Sequence, residues 1–365
     1  MDKSAADFSI YENVPLSGHT TLGVGGPARF FVKASSENHI LQALDFAHAK
    51  DCPVFILGGG SNIVVSDAGF PGLAVKIEIP GIRIREGEND STVSVGSGVE
   101  WDELVQFCVD RNLAGIECLS GIPGTVGASP IQNVGAYGEE VSEVIRDVRV
   151  LDRRSHNVLV LSNADCGFSY RSSIFKTTAR DRYVILSVNL NLNPGGIPRI
   201  EYPDLQEFFD NATDMPTLSE VRNAVLEIRK EKAMVLSPED PDSKSVGSFF
   251  INPTLTPDAI FRLEAEARTM GLLGLSEGIP SHGVSAGKEK VPAAWFVERA
   301  GFHKGHVQGR AGISNKHALA LINRGGAKAQ DILELMSSIQ TRVKALFGVD
   351  LQPEPGFVGF DREIR

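Results

Sequence analysis

The chain has 365 residues, 42% hydrophobic and 22% charged, a globular balance that excludes a disordered or fibrous protein and leaves room for two or three folded units. Its formal net charge of -10 excludes a basic nucleic-acid footprint, and any anionic ligand must be met by a few local cations. No stretch approaches the ~18 apolar residues of a membrane span. The segment Met1 to Ile10, with Asp2, Lys3 and Asp7 and no apolar core, does not read as a signal peptide. Cys52, Cys108, Cys118 and Cys166 are widely spaced and include no CxxC, which suits free thiols in a reducing compartment. A soluble, cytoplasmic protein is expected.

In chain order, Ser35 or Ser36 can cap a helix whose apolar face is Ile40, Leu41, Leu44 and Ala47. Val54 to Leu57 reads as a buried strand running into Gly58, Gly59 and Gly60. Trp101, Leu104, Phe107 and Cys108 fall on one face of a second helix. Strand-like runs follow at Val148 to Leu151, Val158 to Leu161 and Tyr183 to Leu192, an α+β pattern and not a regular βαβ alternation. Asn193-Pro194-Gly195-Gly196 marks a break. Beyond it, Thr217 and Glu220 form a capping box for a helix with Leu218, Val221, Val225 and Ile228 on one face. The last helix shows Ile332, Leu335, Met336, Ile339, Val343 and Leu346, with Gly348 as its stop.

Three glycine-rich segments lie in the first half: Leu22 to Ala28, Leu57 to Asn62, and Gly121 to Ser129 followed by Pro130 to Gly138. Glycine lets a backbone approach a diphosphate and point successive N–H groups at it. Ser61, Asn62, Ser129, Gln132 and Asn133 add neutral donors, so an acidic protein can hold a dinucleotide without a basic patch. None is a Rossmann fingerprint, since Gly23-x-Gly25 lacks the third glycine and a strand–turn–helix frame. Spacing alone suggests phosphate cradling, with simple tight turns as the alternative.

Taken together, these segments resemble the UDP-N-acetylenolpyruvoylglucosamine reductase (MurB) family. The resemblance is carried by His19-Thr-Thr-Leu22 with Gly25, Leu57 to Val65, Gly121 to Tyr137, Tyr170-Arg-Ser-Ser-Ile-Phe-Lys176, Gly247-Ser-Phe-Phe250 with Asn252-Pro253, and Pro353-Glu354, in the family's order. It implies an α+β protein with an FAD-binding fold of the vanillyl-alcohol oxidase type in two subdomains, plus a C-terminal substrate-binding domain. The expected bounds are 1–68 joined by the tail 349–365, 69–200, and 201–348, with the catalytic site where the parts meet. The implied reaction reduces the enolpyruvyl ether of UDP-N-acetylglucosamine to UDP-N-acetylmuramate for peptidoglycan, with NADPH reducing a non-covalent FAD. The implied cofactor contacts are Gly58, Gly59, Gly60, Ser61, Asn62, Gly121, Gly124, Thr125, Gly127, Ser129, Gln132, Asn133 and Gly135.

Hydride delivery to the methylene carbon leaves negative charge delocalised into the substrate carboxylate, so the site needs a cation or donor on the carboxylate and an acid for the carbon. Arg171 matches the family's carboxylate-binding arginine, and its planar fork suits that role. Glu354, between Pro353 and Pro355, matches the glutamate paired with it, and Ser248 matches the proton donor. Lys232 resembles a diphosphate-binding lysine, Tyr202 a substrate-contacting tyrosine of one subclass, and Asn252 a substrate contact. Ser281-His282 stands where that subclass has a mobile-loop tyrosine, and His317 where some members have glutamine, so nucleotide contacts differ there. His303 and His306 lack a further ligand cluster, and no metal is expected. Two other readings compete: a flavin oxidase of the vanillyl-alcohol oxidase group, and a non-catalytic UDP-sugar-binding protein.

Overall fold

A computed structural model of the chain describes residues 8–87, 91–284, 287–361 and 364. Asp2, Lys3 and Asp7 of the N-terminal reading lie outside the described residues. The chain forms two compact units: residues 1–15, 27–60 and 69–236, and residues 16–26, 61–68 and 237–365.

The first unit holds two larger sheets and a short hairpin that pairs Gly135–Ala136 with Glu139–Glu140. In one, the strands run in the order Ile10–Pro15, Pro27–Ala34, Phe70–Ile77, Val54–Leu57. Pro27–Ala34 and Val54–Leu57 both lie parallel to Phe70–Ile77, and helix α1 (Glu37–Ala49) makes the crossover. One βαβ unit therefore sits inside the α+β pattern. Ser36 caps α1, accepting the His39 N–H at 3.2 Å, and Ile40, Ala43, Leu44 and Ala47 are buried against the sheet.

The other sheet is antiparallel, in the order Val158–Ser162, Ile145–Asp152, Tyr183–Pro194, Ser91–Gly96, Ile82–Glu86. Helix α2 (Trp101–Val109) buries Trp101, Leu104, Val105 and Cys108 in its core. Leu151, Val184 and Leu186 of this sheet join the core of the first sheet, so the two layers share apolar packing. Helices α3 (Pro203–Phe208) and α4 (Leu218–Glu231) complete the unit. The capping box of Thr217 and Glu220 is formed at α4, and Leu218, Val221, Val225 and Ile228 are buried.

Residue 200 falls inside this unit, which continues to Leu236. The physical reason is a clamp between α2 and α4. Arg222, 6% exposed, donates to both carboxylate oxygens of Asp102 at 2.7 and 2.8 Å and to Gln106 at 2.7 Å.

The second unit has an antiparallel sheet in the order Ser245–Ser248, Ala320–Asn323, Ala311–Ile313, Val307–Gln308. Helices α5 (Pro257–Thr269), α6 (Ala293–Arg299) and α7 (Ala329–Phe347) pack with it around Phe249, Phe250, Phe296, Leu321, Ile332 and Ile339. Gly348, at φ 67°, ends α7 in the left-handed conformation expected of a stop residue. The strand Ile63–Val65 pairs in parallel with Gly356–Val358. The segment 16–26 is tied in by Asn323, whose side chain donates to the Leu22 carbonyl at 3.0 Å. No helix among the described residues is long and apolar enough to cross a membrane.

Candidate functional site

The long glycine run is held from below by the residues that lead into α2. Trp101 N donates to Gly124 O, Val126 N to Val99 O and Gly127 N to Ser97 O, each at 2.9 Å. The Trp101 indole donates to Leu119 O at 3.0 Å, and the Asp102 carboxylate accepts the Gly121 N–H at 2.6 Å. Gly58 and Gly59 come against this run closely enough that a side chain would collide with it. A Cβ on Gly59 would lie 2.6 Å from Gly124 Cα, and one on Gly127 would lie 2.5 Å from Ser97 Cβ. Two buried hydroxyls at this crossing, Ser97 Oγ and Thr125 Oγ1, have no hydrogen-bond partner among the described residues. Ser97 is 1% exposed and Thr125 4%. A buried hydroxyl without a partner costs about 1–3 kcal/mol, so two at one place mark a surface built to meet a polar ligand.

Farther along the run, the side chains turn inward. Ser129 Oγ donates to Val126 O at 2.8 Å. Asn133 donates its amide to Glu140 at 2.6 Å and to Ser169 O at 3.2 Å, and accepts the Ser142 N–H at 3.0 Å. The Asn133 amide is therefore engaged within the protein at both ends. Gly135 O accepts Arg171 Nη2 at 2.6 Å, and Asn133 O accepts Nη1 at 3.4 Å. Asn133, Tyr137 and Arg171 all adopt positive φ, at 49°, 49° and 53°. Arginine and tyrosine rarely do so, and such strain persists only where the surroundings hold it.

Tyr202 and Lys232 come together through α3 and α4. Tyr202 is the N-cap of α3, and its ring meets Tyr137 edge-on with centroids 5.3 Å apart. Lys232 is the C-cap of α4, and its ammonium pairs with Asp204 in the first turn of α3. Burial pushes the Tyr137 phenol up to about 12, against the pull of the neighbouring Arg229 guanidinium. Arg229 in turn donates to Met234 O at 2.7 Å and Gly121 O at 3.3 Å, linking this aromatic pair to the start of the glycine run.

In the second unit, Ser248 ends the strand Ser245–Ser248 after Gly247 at φ 78°. The next residues zip onto the tail. Glu354 N donates to Phe249 O at 2.8 Å, Phe250 bridges Pro353, and Ile251 N donates to Gln352 O at 2.9 Å. Ser248 and Glu354 are thus brought together by backbone pairing, each half-buried. The Asn252 amide oxygen accepts the Ala293 N–H at 2.8 Å at the first turn of α6. Ser61 and Asn62 also belong to this unit, and Asn62 O accepts the Gly356 N–H at 3.0 Å. His317 Nδ1 accepts the Leu319 N–H at 3.0 Å, and His282 is exposed, paired in register with Lys290.

Two family models match the chain: an FAD binding domain over residues 28–160, and the C-terminal domain of UDP-N-acetylenolpyruvoylglucosamine reductase over residues 239–358. A UDP-N-acetylenolpyruvoylglucosamine reductase of Thermobifida fusca is 44% identical over 354 residues, covering 96% of this chain and 98% of its own. One from Salinispora arenicola is 45% identical over 364 residues, covering 98% of each chain. The chain belongs to the UDP-N-acetylenolpyruvoylglucosamine reductase family. It is an FAD-dependent oxidoreductase. Its fold is also that of the crystal structure of the reductase (MurB) from Thermus caldophilus, with a TM-score of 0.64 at 23% identity over 96% of this chain and 99% of that one.

The residues fit the flavin that the UDP-N-acetylenolpyruvoylglucosamine reductase family implies. Beside the close Gly59–Gly124 crossing, Ser97 Oγ and Thr125 Oγ1 are buried hydroxyls with no partner among the described residues, and these neutral groups would meet a diphosphate there. Thr125 was legible in the sequence, whereas Ser97 was not. It stands outside any glycine run, in Val95-Gly96-Ser97-Gly98, a short signal overshadowed by the longer segments. Asp102 and Arg222 were also missed, because an ion pair 120 residues apart in sequence leaves no local pattern.

Proposed function

We propose that the chain reduces the enolpyruvyl ether of UDP-N-acetylglucosamine to UDP-N-acetylmuramate for peptidoglycan, in the cytoplasm, with NADPH as reductant. The chemistry that FAD supplies when bound is hydride transfer to the methylene carbon of the substrate. Gly58, Gly59, Gly60, Thr125 and Ser97 hold the cofactor's diphosphate region, and Ser61 and Asn62 contribute further polar contacts to the cofactor. Arg171 binds the substrate carboxylate through its fork and stabilises the charge that develops there. Glu354 donates a hydrogen bond to the same developing enolate, and Ser248 gives its hydroxyl proton to the neighbouring carbon. Lys232 binds the substrate diphosphate, and Tyr202 and the Asn252 amide nitrogen orient the nucleotide sugar.

The observation that supports these roles best is the hydrogen bond from Glu354 N to Phe249 O, because it fixes the glutamate one residue from the serine. A hydroxyl is a weak acid in water, and a nearby donor on the same anion is what makes its proton transfer effective. The test separates the two half-reactions by stopped-flow absorbance of the flavin. Ser248→Ala is expected to keep NADPH reduction near the wild-type rate and to slow reoxidation by the enolpyruvyl substrate by the ~10²–10⁴-fold of a lost positioned acid. Reoxidation at the wild-type rate would remove Ser248 from the mechanism and leave Glu354 as the donor.

A further inference from the structure

We infer that Asn133 and Glu140 are positioning residues for Arg171, acting through the two carbonyls that hold its guanidinium. The inference rests on the carboxylate-binding role proposed for Arg171. Asn133 is 1% exposed, and its side chain ties three segments together. Its amide nitrogen reaches Glu140 Oε2 at 2.6 Å and Ser169 O at 3.2 Å, and its amide oxygen takes the Ser142 N–H at 3.0 Å. Its own carbonyl and that of Gly135 accept Arg171 Nη1 and Nη2.

Glu140 lies directly across the short hairpin from Gly135, its register partner. A Cβ on Gly135 would lie 2.9 Å from Glu140 Cγ and 3.1 Å from Arg171 Nη1. The glutamate stem, the glycine and the guanidinium are therefore packed against one another. Arg171 itself sits at φ 53°, two residues after the Ser169 carbonyl that Asn133 grips. An arginine in the left-handed region needs such a brace to stay in place. Asparagine suits position 133 because both ends of its amide are used. Aspartate there would lose the two donors and set one carboxylate against another.

The consequence is catalytic because a fork that meets a planar carboxylate must be aimed. A misplacement of about 1 Å can cost on the order of 10²-fold in rate. The test uses the full-length FAD-loaded enzyme and the same two half-reactions, with flavin content and melting temperature measured alongside. Glu140→Ala is expected to slow reoxidation by UDP-N-acetylenolpyruvoylglucosamine by about ten- to a hundredfold, while flavin reduction by NADPH stays near wild type. Glu140→Gln is expected to recover most of that loss, since its amide oxygen still accepts from Asn133.

In an Arg171→Ala background, Glu140→Ala should add nothing, because two residues acting as one unit are not additive. Additive losses, or an equal fall in both half-reactions, would make Glu140 a fold-holding residue and overturn the inference. Should Glu140→Ala fail to hold flavin, Glu140→Asp keeps the charge but shortens the stem. It is expected to slow reoxidation selectively, and wild-type reoxidation in that variant would equally overturn the inference. Arg171→Ala reoxidising at the wild-type rate is a different result: it would remove the role of Arg171 itself, and the positioning role with it.

Discussion

Arg222 closes both terminal nitrogens of its guanidinium on Asp102, at 2.7 and 2.8 Å, from a side chain that is 7% exposed while its partner is 41% exposed. The same carboxylate accepts the Gly121 N–H at 2.6 Å, so the pair fixes α4 to α2 and fixes the entry of the glycine run at once.

Asp102→Ala should therefore both destabilise the protein and loosen FAD. Removing the partner leaves a buried guanidinium uncompensated, which costs about 3 kcal/mol, at the low end of the range for buried pairs because Asp102 is half in solvent. Burial works to raise the Asp102 pKa, but the hydrogen bonds from Arg222 and Gly121 outweigh it and hold the carboxyl below its ordinary range. The sign follows: this stability is present above the unfolded-state pKa of about 3.9 and is lost as pH falls through the lower folded value. Urea melts from pH 7 down to pH 2 check this. The deficit of the variant should be constant near neutrality and shrink only below about pH 4. A deficit that disappears by pH 6 would contradict the assignment.

Glu139 should behave in the opposite sense. It is 4% exposed and lines a pocket with Glu117, Glu143 and Arg199. Burial, with the nearby Glu117 charge, pushes its carboxyl up to about 8. Below the unfolded-state pKa the group is neutral in both states and costs nothing. As pH rises toward 8 the unfolded chain ionises and the folded one resists, so stability falls across that window. Glu139→Gln keeps an oxygen for the Cys118 N–H and removes this cost. Each unit of separation corresponds to about 1.4 kcal/mol, so the variant should gain a few kcal/mol at pH 8 and almost nothing at pH 4. Equal stability of both proteins at pH 8 and 9 would refute the shift.

Thr125→Val should weaken FAD without unfolding the apoprotein. The hydroxyl has no partner among the described residues, so its loss removes nothing from the protein's own network. One hydrogen bond to a charged diphosphate contributes about 1.5–3 kcal/mol, or roughly ten- to a hundredfold in affinity. Fluorescence titration of apoprotein with FAD measures it, and unchanged affinity would point the hydroxyl elsewhere. The yellow colour of the wild type should pass into the supernatant on acid precipitation, as expected of a non-covalent flavin.

Lys232→Ala should act on affinity more than on turnover. Its ammonium sits at the end of α4 beside Asp204, and a phosphate must share or take that cation. The expected change is a rise of roughly ten- to a hundredfold in KM with kcat within a few-fold of wild type. A large loss of kcat at saturating substrate, with KM unchanged, would move Lys232 into the chemistry.

Much of this protein is written locally. The caps at Ser36 and Thr217, the stop at Gly348 and the buried faces of α1, α2, α4 and α7 follow from residue types at helical spacing, because capping and amphipathic burial act within a few residues. The glycine run from Gly121 and the segments around Arg171, Ser248 and Glu354 were likewise legible as short motifs, and together they pointed to the family. Tertiary structure decided what those motifs rest on. Asn133 read as a donor to the cofactor, yet its amide is spent bracing the turn before Arg171. Gly59 is glycine because Gly124, 65 positions on, leaves no room for a Cβ. Asp102 and Arg222 meet across 120 residues, and their pairing keeps α4 in the first unit, past the break near residue 200. Hydrogen bonds and close packing between distant segments depend on where the folded backbone carries them, and no periodicity in the chain records that.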